Sequence, residues 1–117
     1  MRKLFVSQMF HGRTEEEIFE ERAQIVEKIE HLFEEKFEVI DQYHQSKPEG
    51  SGKFYYLSQD ILMIENADIV VFAPNWHEAS GCRVEHELCL VYGINAFELG
   101  DLNAESTIIR SIRPFQF

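Results

Sequence analysis

Basic residues are scarce in this chain: 11 Lys and Arg stand against 21 Asp and Glu, a formal net charge of −10 over 117 residues. That balance weighs against nucleic-acid binding, which needs a basic face. It leaves room for a small anionic ligand, because a few arginines at one cleft outweigh the global field locally. Cysteine is equally sparse. Cys82 and Cys89 are seven positions apart and match no metal or redox spacing. Both fall on one expected helix, so they cannot easily pair, and a reduced, cytoplasmic protein is the expectation. No apolar run approaches the roughly 18–20 residues of a membrane span. The apolar stretch after Met1-Arg2-Lys3 stops at Val6, too soon for a secretion signal. Internal repeats and low-complexity segments are absent as well.

What is present fits one folded domain over residues 1–117. Forty-four per cent of the residues are apolar, ten are Phe, and 27 per cent are charged. Residues 3–7 read as a first strand. Thr14 with Glu17 three positions later forms a capping-box signature, and three carboxylates in the first turn suit the helix dipole. Ile18, Arg22, Ile25, Ile29 and Leu32, with Phe19 and Phe33 beside them, mark one side of a helix running to about residue 35. Residues 37–41 make a second short strand, and the polar, breaker-rich stretch 43–53 reads as a mobile loop. A second helix follows over residues 55–66 with Leu57, Ile61 and Ile64 inward. Residues 68–73 form a buried parallel strand stopped by Pro74. A third helix starts near Ser80 and ends at about Tyr92 before Gly93, with Val84, Leu88 and Val91 as its packing stripe. Residues 94–99 form a fourth strand, and the tail 103–117 is ambiguous between helix and strand. This alternation predicts an α/β, flavodoxin-like (Rossmann-like) three-layer sandwich with a small parallel sheet of four to five strands in the order 2-1-3-4.

In such a sheet, ligands bind beyond the strand C-terminal ends. Ser7-Gln8-Met9, Asp41, the 74–79 loop and Glu98 converge there. Glu85 lies just past a central strand and near a helix start, where partial positive charge favours an ionised carboxylate. An ionised carboxylate beside a sugar can attack its anomeric carbon. Asp60 is the odd member of the second helix, set among Leu57, Ile61 and Ile64; spacing alone leaves it either a satisfied structural group or part of the site. His77 and His86 fit no standard ligand spacing, so no metal is expected, and a lone Gly12 is no dinucleotide fingerprint. No cofactor is called for.

Two blocks of sequence then carry a resemblance. Gly81-Cys82-Arg83-Val84-Glu85 is similar to the G-x-G-x-E segment of nucleoside 2-deoxyribosyltransferases and the related deoxynucleoside-monophosphate N-glycosidases. Asp60 through Asp68 matches their D-x₃-I-x₃-D segment at the same spacing. Ser7-Gln8-Met9-Phe10-His11-Gly12-Arg13-Thr14, followed by Phe72, Pro74, Trp76, Ala79, Gly81, Cys82, Glu85 and His86, resembles a compact branch of that superfamily. The likeness covers residues 3–98. There are departures: Leu4 or Phe5 stands where those enzymes carry a tyrosine, and Arg83 replaces their second glycine. The glycine after their E-L is lost, and Ala79, with Glu78 beside it, falls where they carry an aspartate.

The resemblance implies a small-molecule partner, a 2′-deoxyribonucleoside or its 5′-monophosphate. Glu85 would attack C1′ and form a covalent deoxyribosyl-glutamate, and Asp60 would hydrogen-bond the base or assist its departure. Ser7, Gln8, Met9 and the amides around Gly12 would hold the sugar or phosphate. Arg13 and Arg83 are the implied anion partners, Trp76 a stacking cap for the base, and Asp41 and Gly81 further lining. A homo-oligomer, dimeric or higher, is implied too, with the tail 113–117 as a plausible contact. The alternative is a non-catalytic module that binds a nucleotide or nucleoside derivative in the same pocket.

Overall fold

The computed structural model describes residues 1–41, 48–104 and 108–112. The centre of the fold is a pair of strands with no exposed side: β1 (Arg2–Ser7) and β3 (Ile69–Phe72) run parallel, Leu4 facing Ile69 and Ser7 facing Phe72. Leu4, Phe5 and Val6 have no exposed surface, and neither have Ile69, Val70, Val71 and Phe72. Successive strand side chains point to opposite faces, so these runs supply both layers of core. Leu4, Val6, Ile69 and Val71 meet Ile25 and Ile29 of α1 (Glu15–Phe33) on one face. Phe5, Val70 and Phe72 meet Ile64 of α2 (Tyr55–Glu65) and Cys89 of α3 (Ser80–Tyr92) on the other. The result is the three-layer α/β sandwich that the alternation predicts.

Parallel pairing continues outward to β2 (Phe37–Val39) beside β1 and to β4 (Ala96–Leu99) beside β3. A fifth strand, β5 (Ile109–Ser111), adds antiparallel to β4, so this described part of the ambiguous tail is an edge strand. The order is β2-β1-β3-β4-β5, compatible with a flavodoxin-like fold, with the fifth strand antiparallel. No helix among the described residues is long and apolar enough to cross a membrane. The expected loop falls partly on residues 42–47, and the tail contact on residues 113–117; both lie outside the described residues.

Local signals set most boundaries. The Thr14 hydroxyl accepts the Glu17 N–H at 3.1 Å while Glu17 Oε1 accepts the Thr14 N–H at 3.0 Å, closing the capping box that starts α1. Gly93 takes the left-handed conformation (φ 64°) that ends α3. The buried side of α1 is Ile18, Arg22, Ile25 and Ile29, as its spacing predicts, but Phe19 and Leu32 stay 40% and 42% exposed.

The packing stripe of α3 needs correction. Val84 and Val91 are 46% and 64% exposed, and the buried residues are Cys82, Glu85 and Cys89, with Leu88 partly buried beside them. Both rows are helical, i, i+3, i+7 for Cys82, Glu85 and Cys89 and i, i+4, i+7 for Val84, Leu88 and Val91, and the helix turned inward the row carrying a carboxylate and two thiols. A count of branched aliphatics misses a face of that composition. Ile29→Ala should cost about 2–5 kcal/mol in urea unfolding, the range for emptying a packed site. Val91→Ala should stay within about 0.5 kcal/mol, as for exposed positions; comparable losses would contradict this orientation of α3.

Candidate active site

Period-two alternation in β1 sends Phe5 and Ser7 to the α2–α3 side, and Ser7 is the last residue of the column. With no exposed surface, it donates its hydroxyl to Glu85 Oε1 at 2.7 Å. Glu85 sits in the second turn of α3, 4% exposed. From α2, Asp60 shares a hydrogen bond with Glu85, and its charge acts on it. Three elements thus bring Ser7, Asp60 and Glu85 together beyond the C-terminal ends of β1 and β3. These residues border a cleft of about 320 Å³, which Gln8, Met9 and Gly81 also line.

The helix start was expected to keep Glu85 ionised, and the balance goes the other way. Burial pushes its carboxyl up to about 8, with the charge of Asp60 adding to the rise and the Ser7 hydrogen bond opposing it. Two carboxyl groups that share a hydrogen bond do not readily both ionise, so the pair holds a proton at neutral pH. Cys82, beside them in the lining, is pushed up to about 12 by burial and stays a neutral thiol. The start of α3 has no side-chain cap, and its first residues Ser80, Gly81 and Cys82 line the cleft.

The remaining sequence candidates divide. Gly12 (φ 75°) allows the turn in which the Arg13 N–H bonds the Phe10 carbonyl, but it does not line the cleft. Arg13 is tied to Glu21 at 2.9 Å and to the Met9 carbonyl at 3.0 Å, so it braces the loop and is no free anion partner. Arg83 is exposed on the outer side of α3, ion-paired to neither Glu78 nor Glu87 and outside the lining. Trp76 does not cap the cleft either. Its indole stacks on His86 at 3.9 Å and 4°, with Phe72 edge-on to both rings. Asp41 is exposed beyond β2, 3.7 Å from Arg22 and outside the lining.

Residues that sequence reasoning left out stand in their place. Phe10 and His11 line the cleft from the loop after β1, and Glu78, Ala79 and Ser80 from the approach to α3. Their position after strand ends was the available signal. Arg22 is the other omission. It is 8% exposed, its Nε donates to Gln8 Oε1 at 3.0 Å, and its Nη2 is buried with no hydrogen-bond partner. Leaving such a donor unmade costs about 1–3 kcal/mol. A charged residue within the stripe Ile18-Arg22-Ile25-Ile29 was the sign.

Other hollows carry less chemistry. One of about 420 Å³ at the end of α1 is rimmed by the acids Glu27, Glu30, Glu34 and Glu35, of which Glu30 is held by the Phe37 N–H and Glu35 by Arg2. Another of about 590 Å³ lies between α2 and α3 at the opposite edge of the sheet and is mainly apolar, with Ile61, Leu88, Tyr92 and Ile94.

The raised carboxyl of Glu85 links stability to pH. Above about 4.5 the unfolded chain releases this proton, whereas the folded protein keeps it to about 8. Stability should therefore fall as pH rises through that window. Glu85→Gln, which cannot ionise, should remove the fall. Its advantage over wild type in urea unfolding should widen by on the order of a few kcal/mol between about pH 5 and about pH 8.5. Equal pH slopes would contradict a buried, proton-holding pair.

No curated protein and no solved structure matches this chain. The sequence profile of DUF4406, a domain of unknown function, matches residues 11–97, a span that holds Asp60, the start of α3 and Glu85. The match takes in most of the chain, from the loop after β1 to β4, and the protein belongs to the DUF4406 family.

Proposed function

We propose that the cleft binds a 2′-deoxyribonucleoside or its 5′-monophosphate and cleaves its N-glycosidic bond, with Glu85 as nucleophile and Asp60 as proton donor. The observation that carries this reading is the pairing of the buried Glu85 with Asp60, with the Ser7 hydroxyl on Glu85 Oε1. Double displacement at an anomeric carbon needs one carboxylate to attack and one acid to protonate the leaving group. The pair holds its one proton on Glu85, and it supplies both roles once that proton passes to Asp60 across their shared hydrogen bond; the Ser7 donor favours the negative charge this leaves on Glu85.

In the first step Glu85 bonds to C1′ as the C1′–N bond breaks. The electron pair leaves with the base, which takes the proton of Asp60. In the second step Asp60, now a carboxylate, takes a proton from water. The resulting hydroxide attacks C1′ and frees Glu85, with net retention. Another base in place of water makes the reaction a transfer. Gln8, Met9, Gly81 and the donors at the start of α3 are suited to hold the sugar. The free, buried thiols of Cys82 and Cys89 suit a reduced, cytoplasmic setting. Self-association would draw on the exposed Leu62, Val91 and Tyr92.

A second reading, a binding module without turnover, draws on Leu4 and Phe5. Both are wholly buried, so neither can replace the tyrosine that the resembling enzymes carry near the sugar.

The test is a panel of deoxynucleosides and their monophosphates, with free base followed by chromatography. Base release should vanish in Glu85→Ala and fall about 10²–10⁴-fold in Asp60→Asn, the usual worth of a positioned acid. Because kcat/KM reports the free enzyme, its upper limb should decline near pH 8, where the pair loses its proton. Absence of release from every substrate, with ligand-induced thermal stabilisation retained, would replace the glycosidase reading with the binding module.

A further inference from the structure

An anionic ligand faces an unfriendly cleft. The net charge is −10, and Asp60, Glu78 and Glu85 all line the opening. Among the described residues no Lys or Arg lines it, since Arg13 is tied to Glu21 and Arg83 points elsewhere. One cation stands directly behind the lining. Arg22 projects from α1 and is held by Gln8, a lining residue, and its charge is felt alongside that of Asp60, another.

The arrangement of its guanidinium is specific. Nε is used on Gln8 Oε1 at 3.0 Å, and the group lies over the Phe19 ring at 5.5 Å, which fixes its plane. Gln8 is fixed in turn, its side-chain N–H groups donating to the Ile18 carbonyl and to Glu21 Oε1. The outer edge, Nη1 and Nη2, is left without a hydrogen bond. Nη2 is buried with no acceptor, and the nearest carboxylate oxygen to Nη1, on the exposed Asp41, is 3.7 Å away. A structural arginine buried to this degree normally has its fork filled. A clamped plane with an empty two-nitrogen edge matches the geometry that guanidinium groups use on oxyanions.

We propose that Arg22 is the anion-recognition residue of the cleft, its Nη1–Nη2 edge taking two oxygens of a phosphate carried on the sugar, so that the ligand is a phosphorylated deoxyribose compound in preference to the bare nucleoside. This rests on the reading of the cleft as a deoxyribosyl site and narrows its substrate class. Approach is from the side of Asp41, whose exposed carboxylate lies 3.7 Å from Nη1; Asp41 gives way to the incoming anion, and Gln8 keeps the plane. Arg22 contacts substrate without entering the bond-breaking steps.

The test is calorimetric titration of 2-deoxyribose 5-phosphate, 2-deoxyribose and inorganic phosphate into wild type, Arg22→Gln and Arg22→Lys. Wild type should bind the sugar phosphate at least tenfold tighter than the bare sugar, and inorganic phosphate should compete. Arg22→Gln should lose that preference and keep its weak affinity for 2-deoxyribose. Arg22→Lys, which keeps the charge but not the fork, should fall between the two. Phosphate should also raise the Tm of wild type and leave that of Arg22→Gln unmoved. If Arg22→Gln does not fold, Arg22→Lys decides, and unchanged affinity for the sugar phosphate overturns the proposal. Equal affinity of wild type for the two sugars, or no competition by phosphate, overturns it as well. None of these readouts needs turnover. Base release lost in Glu85→Ala, with binding indifferent to Arg22, would sink this inference alone. Arg22-dependent binding without base release would sink the catalytic reading alone.

Discussion

The hydrogen bond between two carboxyl groups, Asp60 and Glu85, is the constraint around which this cleft is arranged. A buried pair of acids survives only if one keeps a proton, and a site that keeps a proton near neutral pH is poised for acid–base chemistry. The rest of the sandwich makes that arrangement tolerable. The buried run Leu4–Ser7 of β1 and the fully buried β3 fix the height of Ser7, and α3 presents Glu85 to it at 2.7 Å. The apolar residues Phe5, Val70 and Phe72 beneath exclude water from that side. The fold is thus a rigid holder for one proton shared between two helices.

The cost appears in α3. Its inward face spends two positions on sulfur and one on a carboxylate, while Val84 and Val91 face solvent. Helices normally bury their branched aliphatics. A helix turned against that preference is under a constraint other than stability, and the Ser7–Glu85 contact supplies one. Arg22 follows the same logic on the opposite layer. A charge placed in the apolar stripe of α1, with its outer nitrogens unsatisfied, is a local penalty that a ligand can relieve.

These exceptions also decide how far the sequence could be read. Strand identity was legible because continuous apolar runs such as Ile69–Phe72 have one reading once Pro74 stops them. The start of α1 and the end of α3 were legible because Thr14, Glu17 and Gly93 act through local hydrogen bonds and φ values. The placement of Ser7 and Glu85 beyond strand ends followed from topology, whereas spacing left Asp60 open between a structural group and a site residue. What stayed hidden depends on which face a helix turns and on partners distant in sequence. Trp76 finds His86 on the next helix, and Arg13, in the loop before α1, finds Glu21 about two turns into that helix. The direction of the Glu85 shift was hidden for a similar reason: helix-start charge is local, while burial and Asp60 are tertiary. β5 is a three-residue, mostly exposed edge strand with almost no pattern to read.

The claim underneath all of this is that Glu85 shares one proton with Asp60. Carboxyl ¹³C NMR of selectively labelled glutamate, titrated in wild type and in Asp60→Asn, measures it directly. A Glu85 resonance titrating near 8 in wild type, and moving lower once the Asp60 charge is removed, is the predicted result. A Glu85 resonance titrating near the ordinary 4.5, and indifferent to Asp60, would contradict the account.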